Sequence, residues 1–289
     1  MITHDHGYSD NHHDFQRRRT DNMSAATDAL DQPLVLRHDV AGVATLTLNR
    51  PGQFNALSTA MLEALTAAID EISGDTSVRV VVLSGAGKAF CAGHDLKEMR
   101  GDETRQFQQA MFNQCSRFMI KLTELPQPVI ARVHGVATAA GCQLVSTCDL
   151  AVAADVARFA VSGINVGLFC ATPGVALSRN VGRKAAFEML VTGEFIDATE
   201  AQRRGLVNRV VPLDQLDEEV ARLAASICAK SPLAVRTGKQ MFYRQLEMGL
   251  EAAYQLASET MVCNMMADDA KEGIDAFVAK KPHPEWKGR

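Results

Sequence analysis

Two glycine-bearing loops carry the residues best placed for chemistry. The first reads Gly87-Lys88-Ala89-Phe90-Cys91-Ala92-Gly93-His94-Asp95-Leu96; it follows an apolar run and leads toward helix-forming residues. The second reads Gly135-Val136-Ala137-Thr138-Ala139-Ala140-Gly141-Cys142-Gln143 and also joins an apolar run to a helical stretch. Ala92 and Gly93 are small enough to let a ligand reach the backbone. The first N–H groups of a helix have no intrahelical acceptor, and the helix dipole strengthens their pull on negative charge. Two such loops facing each other would form a two-donor hole for an oxyanion. Spacing alone does not separate that chemistry from ordinary strand-to-helix connections.

Other chemistry-bearing patterns fail. Gly85-Ala86-Gly87-Lys88-Ala89-Phe90 begins like a dinucleotide fingerprint, but Phe90 stands where the third glycine belongs, and the Walker spacing before Lys88 is missing. There is no G-x-S-x-G elbow and no H-E-x-x-H pair. His38 and His134 stand alone and read as structural, so no metal site is expected. Cys91, Cys115, Cys142, Cys148, Cys170, Cys228 and Cys263 form no C-x-x-C pair and mostly sit in apolar runs. They read as buried free thiols in a reducing compartment, which points to the cytoplasm. The net charge of -4 gives no electrostatic case for nucleic acid as a partner. No apolar stretch reaches the length of about 18 residues that a membrane span needs.

The elements that must position the loops follow from periodicity. Val43-Ala44-Thr45-Leu46-Thr47-Leu48 alternates as a strand, and Asn49-Arg50-Pro51-Gly52 breaks it. A helix is predicted over 58–72, with Ser58 as N-cap and Met61, Leu62, Leu65, Ile69 and Ile72 on one face. Residues 78–83 are β-branched and read as a strand covered on both sides. Strands at 129–133, 150–154 and 207–211, with a helix over 139–147, complete an α/β pattern. After residue 214 the strand signal ends, and helices are predicted over 214–229, 232–248, 250–266 and 268–279. The expected organisation is an extension over 1–29, an α/β core over 30–215 and a helical region over 216–289. The extension carries His4, His6, His12, His13 and Arg17-Arg18-Arg19, with few apolar groups, and reads as a disordered tail.

Several segments together resemble the enoyl-CoA hydratase/isomerase (crotonase) superfamily in order and spacing, and most closely its enoyl-CoA hydratase domain-containing subgroup. They are Arg50-Pro51…Asn55-Ala56-Leu57-Ser58, the loop from Ala92 to Leu96, Gly141-Cys142-Gln143-Leu144 and Cys148-Asp149-Leu150. Thr192-Gly193-Glu194, Gly205-Leu206-Val207 and Lys271-Glu272-Gly273-Ile274-Asp275-Ala276-Phe277 continue the pattern, so the match spans roughly residues 34 to 281. The resemblance implies a ClpP/crotonase-like fold of repeated ββα turns with a helical C-terminal trimerisation region. It implies a homotrimer or a dimer of trimers, and acyl-CoA thioesters as ligand with no separate cofactor. It places the oxyanion-hole N–H groups at His94 and Ala140. It puts CoA contacts at Arg50, Ala56, Lys88, Ala92, Gly93, Asp95 and Leu96. Phe277 and Lys280 match positions that reach a neighbouring subunit's CoA.

The chain departs from the family pattern where hydratases carry two glutamates. Those positions hold Gln143 and Gly163. Gln143 can orient a water but does not exchange protons near neutral pH, and Gly163 offers no side chain. The alternative stretch Gly167-Leu168-Phe169-Cys170-Ala171-Thr172-Pro173-Gly174 has no carboxylate. Impaired hydration is therefore expected, and Gln143→Glu with Gly163→Glu should raise it, the second change being the riskier. Three functions stay open: an enolate-stabilising enzyme, a non-catalytic acyl-CoA sensor or carrier, and a malonyl-type acyl-CoA decarboxylase. The last rests on Ala92-Gly93-His94-Asp95, which resembles a motif of family decarboxylases.

Overall fold

The computed structural model describes residues 32–289. The tail expected over 1–29, with its histidines, lies outside the described residues. The chain enters through a hairpin of β1 (Val35–Val40) and β2 (Val43–Leu48), turned at Ala41 and Gly42, both with positive φ. β1 is a sheet edge with five of its six residues exposed, so it carries no burial period that a sequence can reveal.

α1 (Thr59–Gly74) begins at Ser58, whose hydroxyl accepts from Met61 N at 3.2 Å. Its buried face is Met61, Leu62, Leu65, Ile69 and Ile72, as its helical spacing predicts. Then come β3 (Val80–Gly85), β4 (Ala89–Cys91), α2 (Leu96–Gly101), α3 (Arg105–Glu124), β5 (Val129–Val133), β6 (Val136–Thr138) and α4 (Ala140–Thr147). β7 (Leu150–Ala154), β8 (Arg158–Ala160), a 3-10 turn over Ser162–Val166, α5 (Ala171–Asn180), α6 (Arg183–Thr192), β9 (Ile196–Asp197), α7 (Ala198–Arg204) and β10 (Arg209–Val211) follow.

The repeated ββα turns are visible in the sheet order. One sheet runs β1-β2-β3-β5-β7-β10, the other β4-β6-β8-β9. Each of β3/β4, β5/β6 and β7/β8 gives its first strand to one sheet and its second to the other, and helix follows. The β2–β3, β3–β5, β5–β7 and β7–β10 pairs are parallel, with Val43 opposite Val80, Val81 opposite Val129 and Ile130 opposite Leu150. The second strands are three residues each, too short to show a period, and their positions read as loop in the sequence.

β3 is buried on both faces. Val81 and Leu83 pack into the larger core with α1, α3 and α4. Val80 and Val82 face a second layer built on α8 (Leu216–Cys228) through Leu216, Val220, Leu223 and Ala224. Residues 34–289 form one compact unit, so the change of character near 215 marks where strands end while packing continues.

α9 (Pro232–Leu246) is pinned to the core by a buried cation. Lys239 donates to Leu122 O at 2.8 Å, to Gln127 O at 3.0 Å and to Asp149 Oδ2 at 2.7 Å. Asp149 also accepts from Val129 N at 2.6 Å and from Tyr243 OH at 2.8 Å. Burial pushes the Lys239 ammonium below its ordinary pKa, and the Asp149 carboxylate pulls it back. α10 (Leu250–Met266) has no buried residue, and Leu250, Tyr254, Met261 and Met266 stand exposed along it. α11 (Asp268–Val278) closes the chain. Among the described residues no helix is long and apolar enough to cross a membrane.

The Lys239 network yields a stability prediction. Lys239→Ala leaves the partly buried Asp149 without its cation; breaking a fully buried pair this way costs about 3–5 kcal/mol, and this one should cost about 2–4 kcal/mol. Urea unfolding should show that loss with an unchanged m-value. A change under about 0.5 kcal/mol would mean the network is solvated.

Candidate functional site

The site begins with Asn55, a fully buried residue held at φ 56. Its Nδ2 donates to Ala86 O and Ala89 O, each at 2.8 Å, and its Oδ1 accepts from Arg50 N at 3.0 Å. This one amide ties the 50–55 turn to the end of β3 and the start of β4. Gly85 makes room for it, because a Cβ there would stand 2.8 Å from Asn55 Nδ2 and 2.5 Å from Phe90 O.

The next tie sets the direction of a backbone donor. Leu57 and His94 form a parallel bridge in which Leu57 N donates to Gly93 O at 2.7 Å and Asp95 N donates to Leu57 O at 3.2 Å. A parallel bridge uses the groups flanking the central residue and turns that residue's own N–H to the other side. The His94 N–H therefore points away from Leu57.

The second loop meets the first backbone to backbone. Gly93 has φ +96, and a Cβ there would lie 2.9 Å from Ala139 Cβ and 3.2 Å from Ala140 N. A Cβ at Gly141 would lie 2.1 Å from Cys91 O. Ala139 holds φ 50 and ψ -119, a strained conformation for a non-glycine residue, and donates its N–H to Ala160 O at 3.0 Å. That turn starts α4 at Ala140, whose N–H has no acceptor one turn back. Among the described residues, neither His94 N–H nor Ala140 N–H is given to a protein acceptor.

Both residues line a cavity of about 390 Å³. Ala92 and Leu96 share its wall with Met99 and Phe112 from α2 and α3, and with Gly163, Val166, Leu168, Phe169, Cys170 and Thr172. Among the described residues, no aspartate, glutamate, lysine or arginine lines it. The His94 imidazole packs edge-on to Phe112, with centroids 5.4 Å apart. Burial lowers its pKa to about 4, against a small opposing pull from Glu98. Its Nε2 is buried without a hydrogen-bond partner among the described residues.

The two positions that depart from the family pattern differ in setting. Gly163 lies on the cavity wall, but a Cβ there would stand 2.6 Å from Leu168 O and 2.7 Å from Cys170 Sγ. The expectation that Gly163→Glu can be accommodated is therefore corrected: space forbids it, and its φ is not in the left-handed region. Gln143 is buried, and among the described residues its Oε1 has no partner and its side chain is not on the wall. Cys170 is buried on the wall; burial pushes its thiol pKa up, and the Gly163 N–H acts the other way.

The other CoA-contact positions divide into three groups. Arg50 and Asp95 bind each other at 3.1 Å, Arg50 also donates to Ala56 O at 3.3 Å, and Asp95 caps α2 by accepting from Lys97 N at 3.0 Å. Arg50 thus braces the two loops, and its charge is engaged within the protein. Lys88 is exposed with no ion-pair partner among the described residues. Phe277 and Lys280 are exposed and do not line the cavity of their own chain. Met99 and Phe112 were not among the sequence-derived site residues, because an apolar residue on a helix reads as core. Ser162 was missed as well; its hydroxyl lies 2.7 Å from Thr138 Oγ1.

Known proteins share this fold and much of this sequence. The sequence profile described as enoyl-CoA hydratase/isomerase matches residues 38–289. Enoyl-CoA hydratase domain-containing protein 3, mitochondrial, of Rattus norvegicus is 47% identical over 245 residues, covering 85% of this chain and 81% of that protein. A crystal structure of an enoyl-CoA hydratase from Mycobacterium smegmatis superposes with a TM-score of 0.87 at 60% identity, covering 88% of this chain and 99% of its own. The human enoyl coenzyme A hydratase domain-containing protein 3 superposes with a TM-score of 0.85 at 45% identity, covering 88% of this chain and 100% of its own.

The partly buried imidazole predicts an acid limb in stability. The ordinary histidine pKa is 6.5, and that of His94 in the fold is about 4. Between those values the unfolded chain binds a proton that the folded chain refuses. His94's contribution is therefore full above pH 6.5 and is lost as the pH falls toward 4. Urea unfolding across that window should show a shallower loss in His94→Phe than in the wild type. Equal slopes would contradict the assignment.

Proposed function

The chain belongs to the enoyl-CoA hydratase/isomerase family, in the subgroup of enoyl-CoA hydratase domain-containing protein 3 and with the crotonase fold, and from that premise we propose that it binds acyl-CoA thioesters and stabilises the thioester enolate. The observation that carries the proposal is the pair of ungiven N–H groups, His94 and Ala140, on one apolar cavity. The thioester oxygen accepts from both. When the α-carbon acquires carbanion character, negative charge moves onto that oxygen, and the two hydrogen bonds strengthen. A fixed donor of this kind is worth about 10²–10³ in rate.

Hydration asks for more. A water must be activated at Cβ and a proton delivered at Cα. Gln143 does not exchange protons near neutral pH, Gly163 has no side chain, and among the described residues the wall carries no carboxylate. Each missing acid–base group removes about 10²–10⁴ in rate. We therefore assign impaired hydratase chemistry. A carrier that only holds the ester would make the same contacts. Assaying a panel of CoA thioesters by mass change separates the two: conversion of any ester supports the enzyme, and binding without conversion supports the carrier.

In this proposal Lys88 meets a CoA phosphate, and Phe277 and Lys280 serve the CoA of a neighbouring subunit in a trimer or a dimer of trimers. The exposed apolar residues of α10 and α11 support such an assembly, because they need a covering surface. The free cysteines suit a reducing compartment such as the cytoplasm, while "mitochondrial" belongs to the name of the rat relative.

Three measurements check the proposal. Calorimetry should show acetyl-CoA binding more tightly than free CoA; no heat with either ligand would count against the cavity. Crotonyl-CoA hydration should run several decades below the usual kcat range of about 1–10³ s⁻¹, and a value inside that range would mean another group moves the protons. Light scattering should give a trimer or hexamer mass, and a stable monomer at micromolar concentration would refute the assembly.

A further inference from the structure

The wall of the acyl cavity contains four polar side chains that can touch a ligand: His94, Ser162, Cys170 and Thr172. Ser162 is already engaged, its hydroxyl 2.7 Å from Thr138 Oγ1. The Cys170 thiol, beside the Gly163 N–H, is a weak hydrogen-bonding group, and Thr172 adds one hydroxyl that can turn to either role. The His94 ring is different. Among the described residues neither ring nitrogen has a hydrogen-bond partner, although Nε2 is buried and Phe112 fixes the ring edge-on at 5.4 Å. Buried polar atoms are almost always paired, so an unpartnered imidazole in a ligand cavity calls for a ligand group. A neutral imidazole offers one N–H donor and one lone pair, so it can meet a hydroxyl with either nitrogen and a carbonyl oxygen with its N–H.

We infer that the His94 side chain reads the acyl group, accepting thioesters whose chain bears a neutral hydroxyl or carbonyl oxygen and excluding chains that end in a carboxylate. The inference rests on the acyl-CoA proposal for the same cavity and adds the class of acyl chain. Exclusion of carboxylates follows from the wall, which among the described residues offers no cation to pair with one. An unpaired carboxylate is expensive to bury, and a neutral oxygen is not once it is hydrogen-bonded. The depressed pKa of His94 agrees, since the ring does not supply a counter-charge near neutral pH. The inference therefore speaks against malonyl-type esters as the preferred ligands.

Four CoA esters of equal chain length test it by calorimetry: butyryl-, 3-hydroxybutyryl-, 4-hydroxybutyryl- and succinyl-CoA. In the wild type at least one hydroxybutyryl ester should bind about 3–10-fold more tightly than butyryl-CoA, the gain of one net hydrogen bond. Succinyl-CoA should bind at least about tenfold more weakly than butyryl-CoA. In His94→Phe, which keeps the backbone N–H and the ring contact with Phe112, the hydroxyl preference should fall to about 1. In His94→Asn, which restores a donor, part of it should return. Thr172→Val should keep it, and its loss there would assign the role to Thr172. Equal wild-type affinities, tight succinyl-CoA binding, or a preference that survives His94→Phe would overturn the inference while leaving the acyl-CoA proposal intact. If none of the four esters binds a folded wild-type protein, the acyl-CoA proposal itself fails and the inference falls with it.

Discussion

The close approach of Gly93 to Ala139 and Ala140 is the contact on which the site depends. A single methyl at Gly93 would push the two loops apart, because its nearest neighbours would be Ala139 Cβ at 2.9 Å, Thr138 O at 3.1 Å and Ala140 N at 3.2 Å. With hydrogen there, two strand-to-helix turns from successive ββα units meet edge to edge. Each presents one N–H that its own loop does not use. The Leu57–His94 bridge aims the first, and the strained turn at Ala139 aims the second. The strain at Ala139 is of the kind that costs of order 1–3 kcal/mol and persists only where surrounding packing over-determines it. Here Gly141 against Cys91 O, and Ala139 N on Ala160 O, supply that packing.

Everything outward from that contact holds it in place without adding charge to it. Asn55 fixes the β3–β4 turn, Arg50 and Asp95 brace the loop that follows, and Lys239 binds the C-terminal helices to the strand ends beneath. The ionised groups are thus spent on architecture. The cavity keeps backbone dipoles, a neutral imidazole and apolar walls, a setting in which a hydrogen bond to a developing oxyanion counts for more than it would in water.

The sequence made the large periodic elements legible. The buried face of α1 matches its helical spacing residue for residue, and β5, β7 and α10 fall where their patterns put them. The three-residue strands β4, β6 and β8 escaped, because three residues carry neither period nor composition. The Asp149–Lys239–Tyr243 network escaped for another reason: a lone lysine on an amphipathic helix reads as surface, and only the fold shows the three carbonyl and carboxylate oxygens that surround it. The positions of the two unused N–H donors, His94 and Ala140, came from family resemblance, since a backbone N–H leaves no residue type to recognise. The limits at Gly163 came only from the structure, because crowding by Leu168 O and Cys170 Sγ is a distance in space.

The central claim is that two backbone donors polarise a thioester carbonyl. Infrared difference spectroscopy of acetyl-CoA carrying ¹³C at the carbonyl reads that polarisation directly. With the protein in excess, the account predicts that the labelled C=O stretch moves to lower frequency in the complex, and that the shift shrinks when Gly93→Ala displaces the loops. A bound ester whose carbonyl stretch stays at its value in water or moves higher would contradict it.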